Sequence, residues 1–265
     1  MDTKNKPIKI LQWNIGGLRN HLPFLKDSLY RDQIDIAILQ ETIYEGINIK
    51  FPGYQIYTTS YSRRGPRGLM TLVKNSIPSH ITKQPATLGH NIESLAISIH
   101  LQEEIIDIYN CYRPPRNNCI LELDELFSIA ENSPILLGGD FNAHHPLFND
   151  PTSYRPLLKD PPGIHIEHHL SNSLHIQILN KTKATHIRGG VLDLTFTNDY
   201  LASNANSSFH EHLNSDHSAL IITIEIPRMN SPPYQPKWNT HKANWGRFQK
   251  LIEIWASSYQ IGDKT

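Results

Sequence analysis

The strongest constraint on the fold is a series of apolar runs, each ending in a polar residue. IAILQ (36–40) and ILLGG (135–139) are almost continuously apolar, the pattern of strands covered on both faces. Such strands need packing layers above and below them. Further runs rich in Ile, Leu, Val and Tyr predict strands over 8–15, 54–60, 68–74, 93–101, 105–112, 174–179, 192–197 and 219–226. The two opening runs extend to 35–40 and 134–139. ESLAISIHL (93–101) alternates apolar and polar, as a half-covered strand does.

Helices fall between some of these runs. Leu22, Leu25 and Leu29 recur at helical spacing within 22–31. Ile120, Leu123, Phe127 and Ala130 form one stripe within 120–130, and GIHIEHHLSNS (163–173) is a shorter candidate. Many strands with few helices predict an α/β four-layer sandwich: two packed mixed β-sheets flanked by helices. PRMNSPPYQP (227–236) holds four prolines in ten residues and reads as a linker. The expected organisation is one domain over 1–227, a Pro-rich linker over 228–240 and an amphipathic tail over 241–265. The tail sets Trp245, Phe248, Ile252 and Trp255 at helical spacing, an apolar stripe that wants a partner.

Composition narrows the function. Hydrophobic residues make up 38% and charged residues 19%, as in a globular chain with a core. Acidic and basic residues balance at 25 each, which argues against a non-specific nucleic-acid coat but leaves room for a local basic patch. No run is long enough to span a bilayer, and the first ten residues lack a signal-peptide core, so no membrane partner is expected. Two cysteines cannot form a disulfide framework, so the expected setting is intracellular and reducing.

Chemistry collects at the strand ends. Asn14 ends the first strand, Glu41 follows IAILQ, and Tyr112 ends DIYNCY. Asp140 and Asn142 follow ILLGG, Asp193 sits in GVLDLTF, and Asp216 and His217 precede the last strand. Each alone reads most simply as a turn residue, and the glycines before Asp140 as a bulge. Together they can form one acidic rim. A cleft of carboxylates and amides suits a hard cation such as Mg²⁺, with Mn²⁺ as the alternative. With a His and a Tyr beside them, this is the equipment for phosphodiester hydrolysis.

LQWNIGGL, LQET, YNCYRPP, GGDFN, LDLTF and SDHSAL, in this order, resemble the exonuclease–endonuclease–phosphatase superfamily over about residues 8–226. Within it, GDFNAHHPLF and GGVLDLTFTN look like the endonuclease domains of non-LTR retrotransposons of the jockey and I-element lineages. The tail motif NTHKANWGRF is similar to the segment that joins endonuclease to reverse transcriptase in those reading frames. The resemblance implies roles. Glu41 would be the main Mg²⁺ ligand, with Asn14 near the metal or the scissile phosphate and Asp216 supporting the metal side. Asp140 would orient or deprotonate the attacking water, and Asn142 would hold phosphate or nucleophile. Tyr112 would touch the phosphate. His217 would bond a non-bridging oxygen, and Asp193 would fix its tautomer.

The same resemblance implies a nuclear enzyme that nicks double-stranded target DNA. Its partners would be a downstream reverse-transcriptase region, against which the tail stripe packs, and the element RNA. VLDL stands where abasic-site repair enzymes carry Arg-x-Asp-Tyr, so that preference is not implied. An abasic-site repair endonuclease or another phosphodiesterase of the superfamily, or a DNA-binding module with a decayed site, stay open as alternatives. Candidate DNA contacts are Arg63 in the basic loop SRRGPRG, Arg113 and Arg116 after Tyr112, and Thr185, His186 and Arg188 in an expected hairpin over 180–190. His144 and His145 read as loop residues, and His165 and His169 as a polar helix face despite their i, i+4 spacing. Trp13 and Cys111 read as core.

Overall fold

The computed structural model describes residues 7–46, 49–101, 104–116, 118–149, 151–152, 157–181, 183–210, 213–225 and 244–258. The chain divides into two units, Met1–Pro227 and Arg228–Thr265. The first unit holds two six-stranded sheets. One contains β1 (Ile8–Asn14), β2 (Ile36–Gln40), β3 (Tyr54–Thr58), β4 (Met70–Lys74), β13 (Ala205–His210) and β14 (Ala219–Ile224), in the order β13-β14-β1-β2-β4-β3. The other contains β5 (Ser79–Ile81), β7 (Glu93–Leu101), β8 (Glu104–Tyr112), β10 (Ile135–Asp140), β11 (Ile176–Ile178) and β12 (Asp193–Asn198), in the order β11-β12-β10-β8-β7-β5. Both are mixed. The β1–β2 and β10–β8 pairs run parallel, and their neighbours run antiparallel. A short ribbon joins β6 (Gly89–His90) to β9 (Ile120–Leu121).

Three apolar clusters make the four layers. Ile10, Ile36, Ile38 and Leu220 from one sheet meet Ile97, Ile108 and Leu136 from the other between the sheets. Helix α1 (Leu18–Arg31) packs Leu18, Leu25 and Leu29 on the outer face of the first sheet, against Leu11, Trp13 and Leu39. Helices α2 (Asp124–Ala130) and α3 (Pro161–Asn172) cover the second sheet through Leu126, Phe127 and Ile166. Asp160 caps α3, accepting the Gly163 N–H at 2.8 Å ahead of two prolines suited to a first turn. A one-turn helix, α4 (Asp199–Ala202), follows β12. The expected two packed mixed sheets with flanking helices are therefore present.

Every predicted strand forms, with ends shifted by a few residues. β5, β6, β9 and β13 were not anticipated. The predicted helix over 120–130 starts only at Asp124, because Ile120 and Leu121 are taken by the ribbon with Gly89 and His90. The linker expected over 228–240 lies outside the described residues. In the second unit, α5 (Trp245–Ser258) forms, with Trp245, Phe248, Leu251 and Ile252 exposed. The side chain of Trp255 lies outside the described residues. No described helix is long and apolar enough to cross a membrane.

The glycines before Asp140 are not a bulge. β10 stays in unbroken register with β8 and β12, Gly139 opposite Cys111 and Leu194. A Cβ on Gly138 would lie 2.4 Å from Gln12 Oε1, and one on Gly139 would lie 1.9 Å from the Cys111 carbonyl oxygen. Gln12 is fully buried and crosses between the sheets, donating to the Gly139 and Leu194 carbonyls at 3.1 Å each. The glycines thus admit the cross-sheet tie directly beneath Asp140. Gly139→Ala is expected to cost about 1–3 kcal/mol through overpacking. Chemical denaturation should show that loss, and an unchanged midpoint would refute the tight approach.

Candidate active site

Strand register alone brings the polar ends together. Asn14 pairs with Gln40, which places Glu41 one residue past the same level. Asp140 stands opposite Tyr112 on one side and Asp193 on the other. The loops are then stitched to the rim. Gly17 N donates to Glu41 O and Leu18 N to Thr42 O, both at 2.8 Å, so α1 starts against the chain that carries Glu41. Ser215 Oγ donates to the Asn14 carbonyl at 3.0 Å, tying the loop of Asp216 and His217 to the end of β1.

The Asn14 amide bridges the sheets. Its Nδ2 donates to Glu41 Oε1 at 3.1 Å and to Asp140 Oδ2 at 2.8 Å, and its Oδ1 accepts from Gly16 N at 3.1 Å. Asn142 completes the grip on Asp140. Its backbone N–H donates to Oδ1 at 3.0 Å and its Nδ2 to Oδ2 at 3.1 Å. Glu41 and Asn142 leave their strands in the left-handed region, at φ 46° and 45°. That conformation is uncommon outside glycine and concentrates at functional sites. β10 ends at Asp140, and the turn at Asn142 folds its side chain back onto the carboxylate.

His217 faces this group. Its Nδ1 lies 2.8 Å from Asp193 Oδ2 and its Nε2 lies 3.9 Å from Asp140 Oδ2. Its main chain is held as well, with Trp13 Nε1 donating to the His217 carbonyl at 3.3 Å. Burial disfavours the imidazolium, but Asp193, Asp140 and Asp216 outweigh it and raise His217 to about 9. Asp140 is pushed up to about 7, first by burial and then by the charge of Asp193, against the pull of His217 and Asn14. Tyr112 is also pushed up by burial and by Glu41 and Asp140, so its phenol keeps its proton.

Asp216 is more exposed. Its Oδ2 lies 3.6 Å from His186 Nε2, and its Oδ1 accepts from Ser215 Oγ at 3.3 Å beside Gly16. The donors suit a hard divalent cation. Glu41 and Asp140 converge on one amide with oxygen ligands only, and Asp193 Oδ1 is a buried carboxylate oxygen without a partner among the described residues. Carboxylates and His217 also stand close enough together to share an ion, Asp140 and Asp193 with it in one set, His186 and Asp216 in another.

The structure divides the expected DNA contacts. Arg63, Arg116 and Arg188 are exposed. Beside Asn142 an open cleft of about 370 Å³ is lined by Arg116, His144 and His165. His186 is largely buried and packs edge-on against His217, with ring centroids 4.7 Å apart. Two candidates are corrected. Thr185 is fully buried, and its hydroxyl accepts from the N–H groups of Leu192 and Asp193 at 3.0 Å each, so it props Asp193 rather than reading DNA. Arg113 is 4% exposed and donates to the carbonyls of Cys119, Asn142 and Arg116 at 3.1–3.2 Å. Its guanidinium shapes the Asn142 turn from a buried position and is not presented to a phosphate. His165 is exposed, whereas His169 is buried against Phe127 and bonds Asp124 Oδ1 at 2.8 Å, so the two do not form one polar helix face.

Two residues at the rim escaped sequence reasoning. Arg67 Nε donates to Glu41 Oε2 at 2.8 Å. Glu93 accepts from the Arg67 and Gly68 N–H groups at 2.7 and 2.9 Å, anchoring that loop. The signal for Arg67 lay in SRRGPRG; Glu93 is the polar start of an alternating strand, and nothing local marks it.

With this geometry in view, likeness to known proteins has physical content. A family model described as endonuclease-reverse transcriptase matches residues 106–221. The chain is 28% identical over 258 residues to a probable RNA-directed DNA polymerase from transposon X-element of Drosophila melanogaster. That match covers 93% of this chain and 27% of the relative. It is 26% identical to the RNA-directed DNA polymerase from mobile element jockey of Drosophila funebris, covering 85% of this chain and 25% of that one. The chain thus spans about a quarter of the length of these curated relatives.

Among solved structures, the endonuclease domain of TRAS1, a telomere-specific non-LTR retrotransposon, superposes with TM-score 0.65 at 18% identity, covering 83% of this chain and 98% of that one. The catalytic domain of Xenopus laevis APE2 superposes with TM-score 0.59 at 19% identity, covering 82% and 92%. The chain thus shares the fold of these nuclease domains. In sequence it is similar to the proteins of jockey-like non-LTR retrotransposons, over the part that the endonuclease-reverse transcriptase model matches and beyond it.

The Arg113 geometry has a direct test. Arg113→Gln should lower stability by about 2–3 kcal/mol, by stripping buried carbonyls of charged donors. It should leave the salt slope of DNA binding unchanged. A shallower slope with normal stability would restore Arg113 to the DNA surface.

Proposed function

We propose that this domain is a Mg²⁺-dependent endodeoxyribonuclease that nicks one strand of double-stranded DNA, leaving a 3′-hydroxyl and a 5′-phosphate. The observation that carries this reading is the line Asp193–His217–Asp140. An imidazole held by one buried carboxylate at 2.8 Å faces a second carboxylate 3.9 Å away. That arrangement pairs a proton acceptor with a cationic donor, with room for a phosphodiester at the rim.

Asp140 in its ionised form takes a proton from the attacking water, which Asn142 helps to place. The water oxygen bonds to phosphorus as the bond from phosphorus to the 3′-oxygen breaks in line. His217, protonated and oriented by Asp193, donates through Nε2 to a non-bridging oxygen as negative charge builds there. Tyr112 keeps its proton at the same rim and supplies a further donor for the phosphate. Glu41 and Asn14, with Asp216 nearby, would hold Mg²⁺ or Mn²⁺, whose chemistry is to neutralise charge on the phosphate and the departing oxygen.

In the full protein, the nicked 3′-end would prime reverse transcription of element RNA by a downstream region. Work on chromosomal target DNA would place the protein in the nucleus. The names of the jockey and X-element relatives as RNA-directed DNA polymerases support this larger reading.

Supercoiled plasmid is the first substrate to try. Wild type should convert it to open circles with Mg²⁺ and not with EDTA, and His217→Ala should be slower by about 10²–10³-fold. Nicking that survives EDTA would overturn the metal role. An intact plasmid alongside cleavage of an abasic-site duplex would move the reading to repair chemistry.

The pH profile makes a separate prediction. Activity needs Asp140 ionised and His217 protonated. Turnover should rise as pH climbs toward about 7 and fall as it passes about 9, with bound Mg²⁺ moving the acid limb lower. His217→Ala should keep the acid limb and lose the alkaline one. An alkaline limb that persists in that variant would remove His217 as its source.

A further inference from the structure

Resting on the nuclease reading, we infer that Arg67 binds the scissile phosphate, held in place by Glu41 and Glu93. Its position is built from several sides. Glu93 accepts from its backbone N–H at 2.7 Å and from that of Gly68 at 2.9 Å. The Arg67 carbonyl accepts from Ile43 N, and the Gly68 carbonyl from Thr42 N, both at 3.0 Å. The loop is thus laced to the chain on the far side of Glu41. Gly68 sits at φ 85°, and a Cβ there would press on Thr42 Oγ1 at 3.1 Å, so glycine is what lets the loop lie this close.

From this anchor the Arg67 side chain reaches the acidic rim. Its Nε donates to Glu41 Oε2, while Asn14 donates to the other oxygen, Oε1. The guanidinium is planar, so one fixed Nε bond sets the direction of both Nη groups. Those groups have no partner among the described residues, and the side chain is 38% exposed. Arg67 therefore presents two free donors, in fixed geometry, beside Glu41 and Tyr112. A phosphodiester oxygen is the ligand that matches a rigid pair of cationic donors.

The other arginines near the rim offer less. Arg113 spends its guanidinium on three carbonyls, and Arg63, Arg116 and Arg188 are exposed without an ion pair among the described residues that would fix them. The simpler role for Arg67 is to neutralise Glu41 and nothing more. The two roles differ in what happens when the phosphate loses its charge.

The experiment first maps the wild-type nick, then builds a duplex with a neutral methylphosphonate at that position. Binding of both duplexes is measured by fluorescence anisotropy in EDTA, for wild type, Arg67→Ala and Arg67→Lys. On the native duplex, Arg67→Ala should bind about tenfold or more weakly, and its log K against log salt slope should drop by about 1. On the methylphosphonate duplex wild type and Arg67→Ala should bind alike. Arg67→Lys should restore the salt slope and only part of the affinity, since an ammonium cannot bond Glu41 and phosphate in the same fork.

Equal binding by wild type and Arg67→Ala on the native duplex would overturn the inference, as would an equal loss on both duplexes. Should Arg67→Ala melt far below wild type, Arg67→Lys decides the matter by the same comparison. If wild type nicks no DNA at all, the nuclease reading fails first; if it nicks normally and Arg67→Ala binds like wild type, only the role of Arg67 fails.

Discussion

One amide holds the two halves of this structure in chemical register. Asn14 belongs to the first sheet and Asp140 to the second, and Asn14 Nδ2 spans the gap at 2.8 Å while also bonding Glu41. That bond forms only if the sheets pack at one spacing and one offset. The spacing is set beneath it. Gln12 passes between the sheets to the Gly139 and Leu194 carbonyls, and Asn110 reaches back to the Leu39 and Met70 carbonyls at 3.1 Å. These polar ties sit within the apolar seam of Ile10, Ile38, Ile108 and Leu136. Hydrophobic burial brings the sheets together without direction. The buried amides add direction, because any slip would leave them unsatisfied at a cost of about 1–3 kcal/mol each.

The electrostatics of the rim run against stability. Asp140 and Asp193 are both about 1% exposed, in adjacent strands, and Asp193 keeps one oxygen unpartnered among the described residues. Because Asp140 titrates at about 7 when folded, well above its ordinary range, stability falls as pH rises from that range through 7. His217 acts in the opposite sense. Its raised pKa contributes stability in full below about 6.5, and that contribution is lost as pH rises through about 9. The same like-charge crowding that costs folding energy makes the site ready for a cation and for a proton from water.

Much of this could be read from the chain, for identifiable reasons. Continuous apolar runs such as IAILQ have few ways to be buried, so strands and layers followed. Polar residues at their ends had to reach a rim, so Asn14, Glu41, Asp140 and Asp193 came into view together. Reading failed where the deciding contact was tertiary. ANSSFH (205–210) is too polar to signal a strand, yet it pairs along the edge of the first sheet with β14. The stripe through Ile120 and Leu123 ran across a ribbon that only Gly89 and His90 make possible. Arg113 and Thr185 carry groups that can bind DNA, and nothing local reveals that carbonyls and amides of returning loops consume them. Gly138 and Gly139 resembled a bulge because the approach of Gln12 and Cys111 is not written near them.

The fate of the cations then explains how a chain of zero net charge can serve a polyanion. A large basic excess would bind DNA everywhere and destabilise the compact state by self-repulsion. Here many basic groups are paired within the fold: Arg31 with Asp27 and Asp32, Lys74 with Asp35, and Arg113 with carbonyls. At the rim the balance differs, because the carboxylates face inward toward the place for a metal while Arg67 extends past them. In the proposed reading a phosphate there would meet both His217 and Arg67, with Glu41 and Asp140 beside them. Attraction would thereby be confined to the proposed place of hydrolysis, and contacts elsewhere on the DNA would fall to exposed side chains such as Arg63, Arg116 and Arg188.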